Sequence, residues 1–496
     1  MKISSQAENV NDEHYTEERS MDIALSQFLE DKKNELKKVI ADLAKDFQYV
    51  SILGVDSDSK TYSVSRSGIS VYEDKLCNDR GFVVRVFNGY GYSEYSFNGF
   101  DTAKVVAEVK NIAQKDIAFY KEHNIQLRSY PVIQEEKITK TFHGTVEQAF
   151  DSQSDKEKIA RIVALRERGL SYSKKFLDFP IIFQQVTVRK IFLSLDKDLS
   201  QAYAYSIGYF LPIAQEGEKI VNPYSSFSGA KGLELLDEMD SALDTEAKKA
   251  LDYLIAERVV PGKYEVICSP GVTGLIAHEA FGHGVEMDMF VKDRAKAKDY
   301  IHKQVASPIT QMHDGAAAKR QVSSYFFDDE GVLAGDTLII KDGILQQGIC
   351  DMLSALALGV QPTGNGKRQG YERKAYTRMT NTFFSSGNAT FDDMLKSIKH
   401  GYLLEDYMSG MEDPKNWGIQ CCLGKGYEIK DGKLSGKVIS PVYLTGYVPD
   451  LLKSFVSISG DTDFDLAGSG YCGKGYKEYV RTSCGGTFIK ATANLS

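Results

Sequence analysis

The stretch "HEAFGH", residues 278–283, brings two imidazoles and a carboxylate close together in the chain. Neutral imidazole is the commonest metal ligand, and zinc proteases keep a glutamate after the first of two helical histidines to activate water. In that familiar signature the histidines are four apart, whereas His278 and His283 are five apart. On a regular α-helix residues four apart share a face, but residues five apart lie roughly 140° round from one another. One metal held by both would require a single widened turn with i→i+5 bonding, a π-type distortion found mostly at functional sites. Gly282 and Gly284 flank His283 and ease a local unwinding or an early helix end.

Two histidines do not complete a site. A catalytic zinc generally takes three protein ligands and leaves the fourth position for water or substrate. "GSGYCGKGYKEYVRTSCGG", residues 468–486, surrounds Cys472 and Cys484 with glycine. Glycine lets a backbone approach closely, which suits a ligand loop and an ordinary tight turn equally well. By composition alone Cys472, Cys484, Glu286 and Asp288 all stay open as the third ligand. The plainer reading, two unrelated histidines in core or surface positions, fits less well with the glutamate directly after the first.

These residues must be carried by ordered elements, and the chain supplies them. Its 496 residues are enough for two or more domains, with 42% hydrophobic and 26% charged residues as in a globular protein. A net charge of −8 and the lack of a polybasic run argue against a nucleic-acid partner. No window approaches the length of an apolar membrane span, and the polar first 20 residues lack the apolar core of a signal peptide, so the expected location is the cytoplasm. Seven scattered cysteines are an odd number, better read as free thiols or metal ligands than as a disulfide framework.

Residues 1–20 read as a flexible arm. Apolar residues at helical spacing predict an amphipathic helix over 21–46. From Tyr49 to Phe100 the period changes to alternation, with a hairpin turn at Asn88-Gly89. Asp101 or Thr102 caps a helix running to about His123, and further helices are predicted at 154–171 and about 232–257. "IIFQQVTVRKIFLSL" and "QAYAYSIGYFL" read as strands, and the turn formers of "NPYSSFSGAKG" (222–232) suggest a domain boundary. "LIIKDGIL" (338–345) and "YEIKDGKL" (427–434) each read as a hairpin about Asp-Gly. "YEVIC" (264–268) reads as a short strand, followed by a Pro-Gly turn and the helix that carries the histidines. The expected fold is α+β: a mixed N-terminal domain over 21–229 and a largely antiparallel C-terminal domain over 230–496 that carries the metal-site helix.

"HEAFGHGVEMD" (278–288), "GNGKRQGYERKAYTRMTNTFF" (364–384) and "YCGKGYKEYVRTSCGG" (471–486), in that order, resemble the TldD/PmbA metallopeptidases, also called the TldD/TldE family. The resemblance covers most of the chain, with "GFVVRVFNG" near residue 81 a weaker echo in the N-terminal part. It implies a catalytic, TldD-type member, since partner-type members lack HExxxH. It further implies one zinc per chain on His278, His283 and Cys472, the cysteine followed by Gly473-Lys474, with Glu279 as general base. Cys484 falls outside the motif and reads as structural. The implied activity is hydrolysis of short or unfolded peptides inside a dimer chamber, formed with a second copy or with a TldE-like subunit.

In that mechanism the zinc lowers the pKa of its water and polarises the scissile carbonyl, while Glu279 takes the water's proton and delivers it to the leaving amine. Arg378 and Asn381 are open as oxyanion donors or as structural groups in a turn. The Cys421-Cys422 pair has no assigned role. Two further readings are a non-catalytic zinc-binding scaffold and a nucleotide-dependent enzyme using "GNGKRQG" (364–370) as a phosphate loop. The scaffold leaves Glu279 without purpose, and the loop lacks the Walker spacing and its trailing Lys-Ser/Thr.

Overall fold

The computed structural model describes residues 20–123, 129–476 and 478–496; the expected arm at 1–20 lies almost wholly outside them. The N-terminal half is built on an eight-stranded sheet. Along its main path Ser225–Gly229, Lys197–Phe210, Ile181–Ser194, Val50–Ser65, Asp79–Phe87 and Tyr92–Phe97 are neighbours in that order, all antiparallel. The two long strands read from "IIFQQVTVRKIFLSL" and "QAYAYSIGYFL" are the centre of this sheet.

Helices Gln27–Leu43 and Thr102–Glu122 bury Leu36, Ile40, Val105 and Val109 against sheet residues Ile52, Phe82 and Val84. The second of these begins as its cap predicts, with Asp101 accepting from the Lys104 amide. The first starts six residues later than the apolar periodicity implies. Met21–Asp22 is instead extended and pairs with Thr145–Val146, and Ser26 caps the helix by accepting from the Leu29 amide. Helix Asp155–Ser171 opens with a reciprocal capping box between Ser154 and Glu157. Helix Glu234–Ile255 packs Leu236, Met239 and Leu243 with Phe179, Phe183 and Phe210.

In the second half Gly262–Cys268 pairs on one side with His400–Asp413 and on the other with Ile489–Leu495. Gly418–Lys430 and Val442–Tyr447 complete the circuit, so five strands close on themselves. Both Asp-Gly hairpins form: Asp342-Gly343 and Asp431-Gly432 each hold positive φ at both residues, the signature of a two-residue type I′ turn. A six-stranded sheet lies alongside and includes Asn381–Phe384 next to Ser483–Gly486. The architecture is α+β, and no described helix is long and apolar enough to cross a membrane.

Candidate metal centre

The strand Gly262–Cys268 delivers the chain into helix Pro270–Leu275, with Pro270 in the first turn, where its missing N–H costs nothing. The helix then widens: Ile276–Gly282 is π-helical, and the His283 amide donates to the His278 carbonyl. That i→i+5 bond turns a spacing of five into a shared face. The two imidazole centroids are 5.0 Å apart with the rings nearly perpendicular, at 87°. The turn tightens at once into a 3₁₀ segment, His283–Val285, and the chain leaves it extended at Glu286. A Cβ at Gly282 would lie 2.3 Å from Met379 Sδ, so any side chain there makes the methionine move.

The third group arrives from the hairpin formed by Tyr471–Lys474 and Glu478–Arg481. Cys472 Sγ lies 3.5 Å from His283 Nε2. One ligand atom from each of His278, His283 and Cys472 fits within 4.8 Å of the others. Burial alone would raise the Cys472 thiol, but His283 and His278 beside it outweigh burial and hold it well below the usual thiol range. Burial opposes the charged form of His283, and the Cys472 thiolate and the Glu286 carboxylate overcome it and raise the imidazole well above its ordinary value. A thiolate and two imidazoles form a donor set suited to zinc.

Glu286 and Asp288 stand behind the donors rather than among them. Glu286 Oε2 lies 3.1 Å from His283 Nδ1 and 3.0 Å from Lys474 Nζ. Lys474 also donates to Asp288 Oδ1 at 2.6 Å and to the Thr377 carbonyl at 2.9 Å. A carboxylate on the far nitrogen of an imidazole fixes the ring's orientation and tautomer. Arg378 is buried and donates to the Cys472 and Glu478 carbonyls, bracing both strands of the hairpin. Asn381 Nδ2 donates to the Gly315 and Lys319 carbonyls and to Ser324 Oγ, away from the donor cluster. Both residues therefore have structural partners.

A cavity of about 450 Å³ opens over the donors and is lined also by Glu279, Tyr407, Met408, Gly410 and Glu412. Gly410 lets strand His400–Asp413 lie against Glu279: a Cβ there would be 2.3 Å from Glu279 Cγ. Glu412 faces the same cavity, and burial pushes its carboxyl well above the usual range despite His283 nearby. Neither residue carries a signal in the sequence, because the strand reaches the site only through long-range pairing. Cys484 lies in strand Ser483–Gly486, and burial pushes its thiol up to about 12. Cys421 is buried in the core and Cys422 half-buried, as alternation along their strand requires.

The loop "GNGKRQG" does not offer its backbone as a phosphate-binding loop. The Gly366 amide donates to Asp328 and the Arg368 amide to Asp329, so carboxylates already occupy the backbone donors a phosphate would need.

Helix-borne histidines, a remote cysteine and a carboxylate over one cleft form a candidate metal centre on an α+β scaffold. Comparison with known proteins agrees. Residues 261–490 match the PmbA/TldA metallopeptidase C-terminal domain. A metalloprotease of Methanocaldococcus jannaschii is 26% identical over 420 residues, 84% of this chain and 90% of that one. A zinc metalloprotease TldD homolog of Saccharolobus solfataricus is 27% identical over 359 residues, 70% of this chain and 78% of that one. The solved structure of TldE from Thermococcus kodakarensis superposes with a TM-score of 0.70 at 14% identity, covering 92% of this chain and 99% of that one, a likeness of fold. Residues 261–490 thus match a metallopeptidase domain of the PmbA/TldA type, and most of the chain is similar to TldD-type metalloproteases.

Proposed function

We propose that the chain is a zinc-dependent peptidase that hydrolyses short or unfolded peptides, with one zinc on His278, His283 and Cys472 and Glu279 as general base. The observation that carries this reading is the convergence of three donor atoms within 4.8 Å beneath a cavity that Glu279 also lines. Three protein donors leave a fourth position open, as catalytic zinc requires and a closed structural site does not. The ion would supply Lewis acidity toward the scissile carbonyl and a water. Glu279 takes the proton of the attacking water on a carboxylate oxygen and passes it to the departing amine nitrogen. Glu286 holds the His283 ring in place from behind, and Lys474 keeps Glu286 charged.

The same proposal has the protein work in the cytoplasm as a dimer, with itself or with a TldE-like subunit; the fold shared with TldE supports the second partner. The expected break at 229/230 falls where the eight-stranded sheet ends, at Gly229, but before a helix that joins the same core; the closed ring begins at Gly262. The deciding experiment is Glu279→Gln. Zinc content should stay at the wild-type level while peptide hydrolysis falls by about 10²–10⁴-fold, the usual cost of a lost general base. His278→Ala should lose both. Hydrolysis by Glu279→Gln at the wild-type rate would overturn the reading in favour of a zinc-binding scaffold.

A further inference from the structure

A second cavity, of about 120 Å³, lies between the eight-stranded sheet and the outer side of the Cys472 hairpin. Its walls include Lys190 and Tyr203 from the sheet, and Lys367, Tyr471 and Arg481 from the second half. Among the described residues, two of the four cations lining it lack an ion pair. Lys190 is paired with Asp329, and Arg368 with Glu94. Lys367 and Arg481 have no ion-pair partner among the described residues. Lys367 Nζ donates only to neutral oxygens: Ser323 Oγ at 2.8 Å, the Arg481 carbonyl at 2.6 Å and the Met379 carbonyl at 3.3 Å. Arg481 donates to the Ser469 carbonyl at 2.6 Å and to Gln184 Oε1 at 2.7 Å. Its guanidinium lies flat on the Tyr471 ring, 3.6 Å from the centroid, and its Nε is buried with no hydrogen-bond partner.

Lys367 and Arg481 are half-buried, and cations held at a cavity without an ion pair favour a negative ligand there. Burial and the nearby Arg378 push the Lys367 ammonium down to about 7, as expected of a cation lacking its anion. The acids nearby are otherwise engaged: Asp74, behind Arg481, accepts from the Tyr471 hydroxyl and from Gln184. Asp329 is taken by Lys190, and Asp328 accepts three backbone amides while burial and Glu330 push its carboxyl up to about 8. Asp79 accepts the Tyr371 amide and stands on the Lys190–Asp329 side. The cavity is far smaller than the roughly 300–1,000 Å³ of a drug-sized ligand site, yet it exceeds the share of about 30 Å³ that one water takes. That size suits a single oxyanion group.

We propose that this cavity binds a small oxyanion, a phosphate or a carboxylate, held by Lys367, Arg481 and the Tyr203 hydroxyl. The inference rests on the two cations without ion pairs and stands apart from the peptidase reading. Tyr471 lines both this cavity and the cleft over the metal donors, one residue from Cys472. The carboxylate could therefore be the free C-terminus of a peptide lying in the cleft, or the ligand could be a free anion from solution.

Calorimetric titration of the zinc-loaded protein tests it, with sodium phosphate as one probe and a pentapeptide as the other, the peptide used both as free acid and as C-terminal amide. Phosphate should bind, and Lys367→Gln and Arg481→Gln should weaken it at least tenfold. Tyr203→Phe breaks no hydrogen bond seen among the described residues, so it keeps the fold and should still weaken binding at least threefold. His278→Ala should leave phosphate binding intact. Tighter binding of the acid than of the amide, lost in the same variants, identifies the peptide terminus as the source; phosphate binding with acid and amide equal identifies a free anion. Failure of every probe to bind overturns the proposal. So does binding that Tyr203→Phe leaves unchanged, or binding lost only in His278→Ala.

Discussion

Replacing Gly410 by alanine should disable the proposed base while leaving the metal donors untouched. A Cβ at position 410 would lie 2.3 Å from Glu279 Cγ and 3.0 Å from its Cβ and Cδ, whereas ordinary contact starts at 3.4 Å. The glutamate must therefore yield by about an ångström. Because the crowding reaches Glu279 Cβ, swinging the carboxylate aside does not relieve it, and the base must move with its root. Strand His400–Asp413 is held by its pairing with Gly418–Lys430, so the strain falls on the π turn. A misplacement of about 1 Å costs on the order of 10²-fold in rate, or about 2.7 kcal/mol of barrier. Gly410 is not among the residues with positive φ, so alanine adds no backbone strain and the variant should fold. The assay is kcat/KM on a short unfolded peptide, beside zinc content by elemental analysis. Zinc should be retained and kcat/KM should fall about 10²-fold. The Gly410→Ala/Glu279→Gln double variant should be no slower than Glu279→Gln alone, since both changes remove one function. A wild-type rate in Gly410→Ala, or additive losses in the double variant, would refute the reasoning.

Other outcomes are expected from the same geometry. Cys472→Ala should lose zinc and Cys484→Ala should keep it; equal zinc in the two would remove Cys472 from the donor set. Gly274→Ala should lower stability by about 1–3 kcal/mol in urea unfolding, as overpacking does. Its Cβ would sit 2.5 Å from the Gly485 amide nitrogen, and backbone cannot step aside; an unchanged midpoint would contradict this close helix–strand contact. Asp351 is buried, accepts from the Ser354 amide and Thr377, and is pushed up to about 6 by burial and by Glu330. Its folded pKa is raised, so the favourable contribution is present below its unfolded pKa near 3.8 and is lost as pH rises through about 6. Between pH 4 and pH 7 the stability of Asp351→Asn should therefore gain about 2 kcal/mol on wild type, and parallel pH dependences in urea unfolding would disprove it.

The helices and turns were legible because short-range rules decide them. The Ser154–Glu157 capping box, the Asp101 cap and both Asp-Gly turns depend on residues within four positions of one another. The distorted helix at His278–His283 was legible for a related reason: a spacing of five on one face leaves a π turn as the simple solution. Where a distant partner competes, local reading fails. Met21 and Asp22 continue a helical pattern, yet they pair with Thr145–Val146 as strand, and the helix waits for Ser26.

The third candidate donor marks the same boundary. Residue types alone left Cys472, Cys484, Glu286 and Asp288 equivalent, and only likeness to a family singled out Cys472. In the fold its sulfur meets His283 Nε2 across 189 positions of chain. Glu286 and Asp288, close to the histidines in sequence, point back to Lys474 instead. The partners of Glu279 and of Lys367 were likewise beyond reach, since Gly410 and Arg481 come to them from strands more than 100 residues away. Sequence by itself determined the donor types, the widened turn and most of the local elements, because those follow from steric and hydrogen-bonding preferences of neighbouring residues. Which thiol closes the donor set, which carboxylates stand behind it and which cations are left unpaired were decided only when the five-stranded ring and the two sheets packed, because burial and long-range pairing have no local signature.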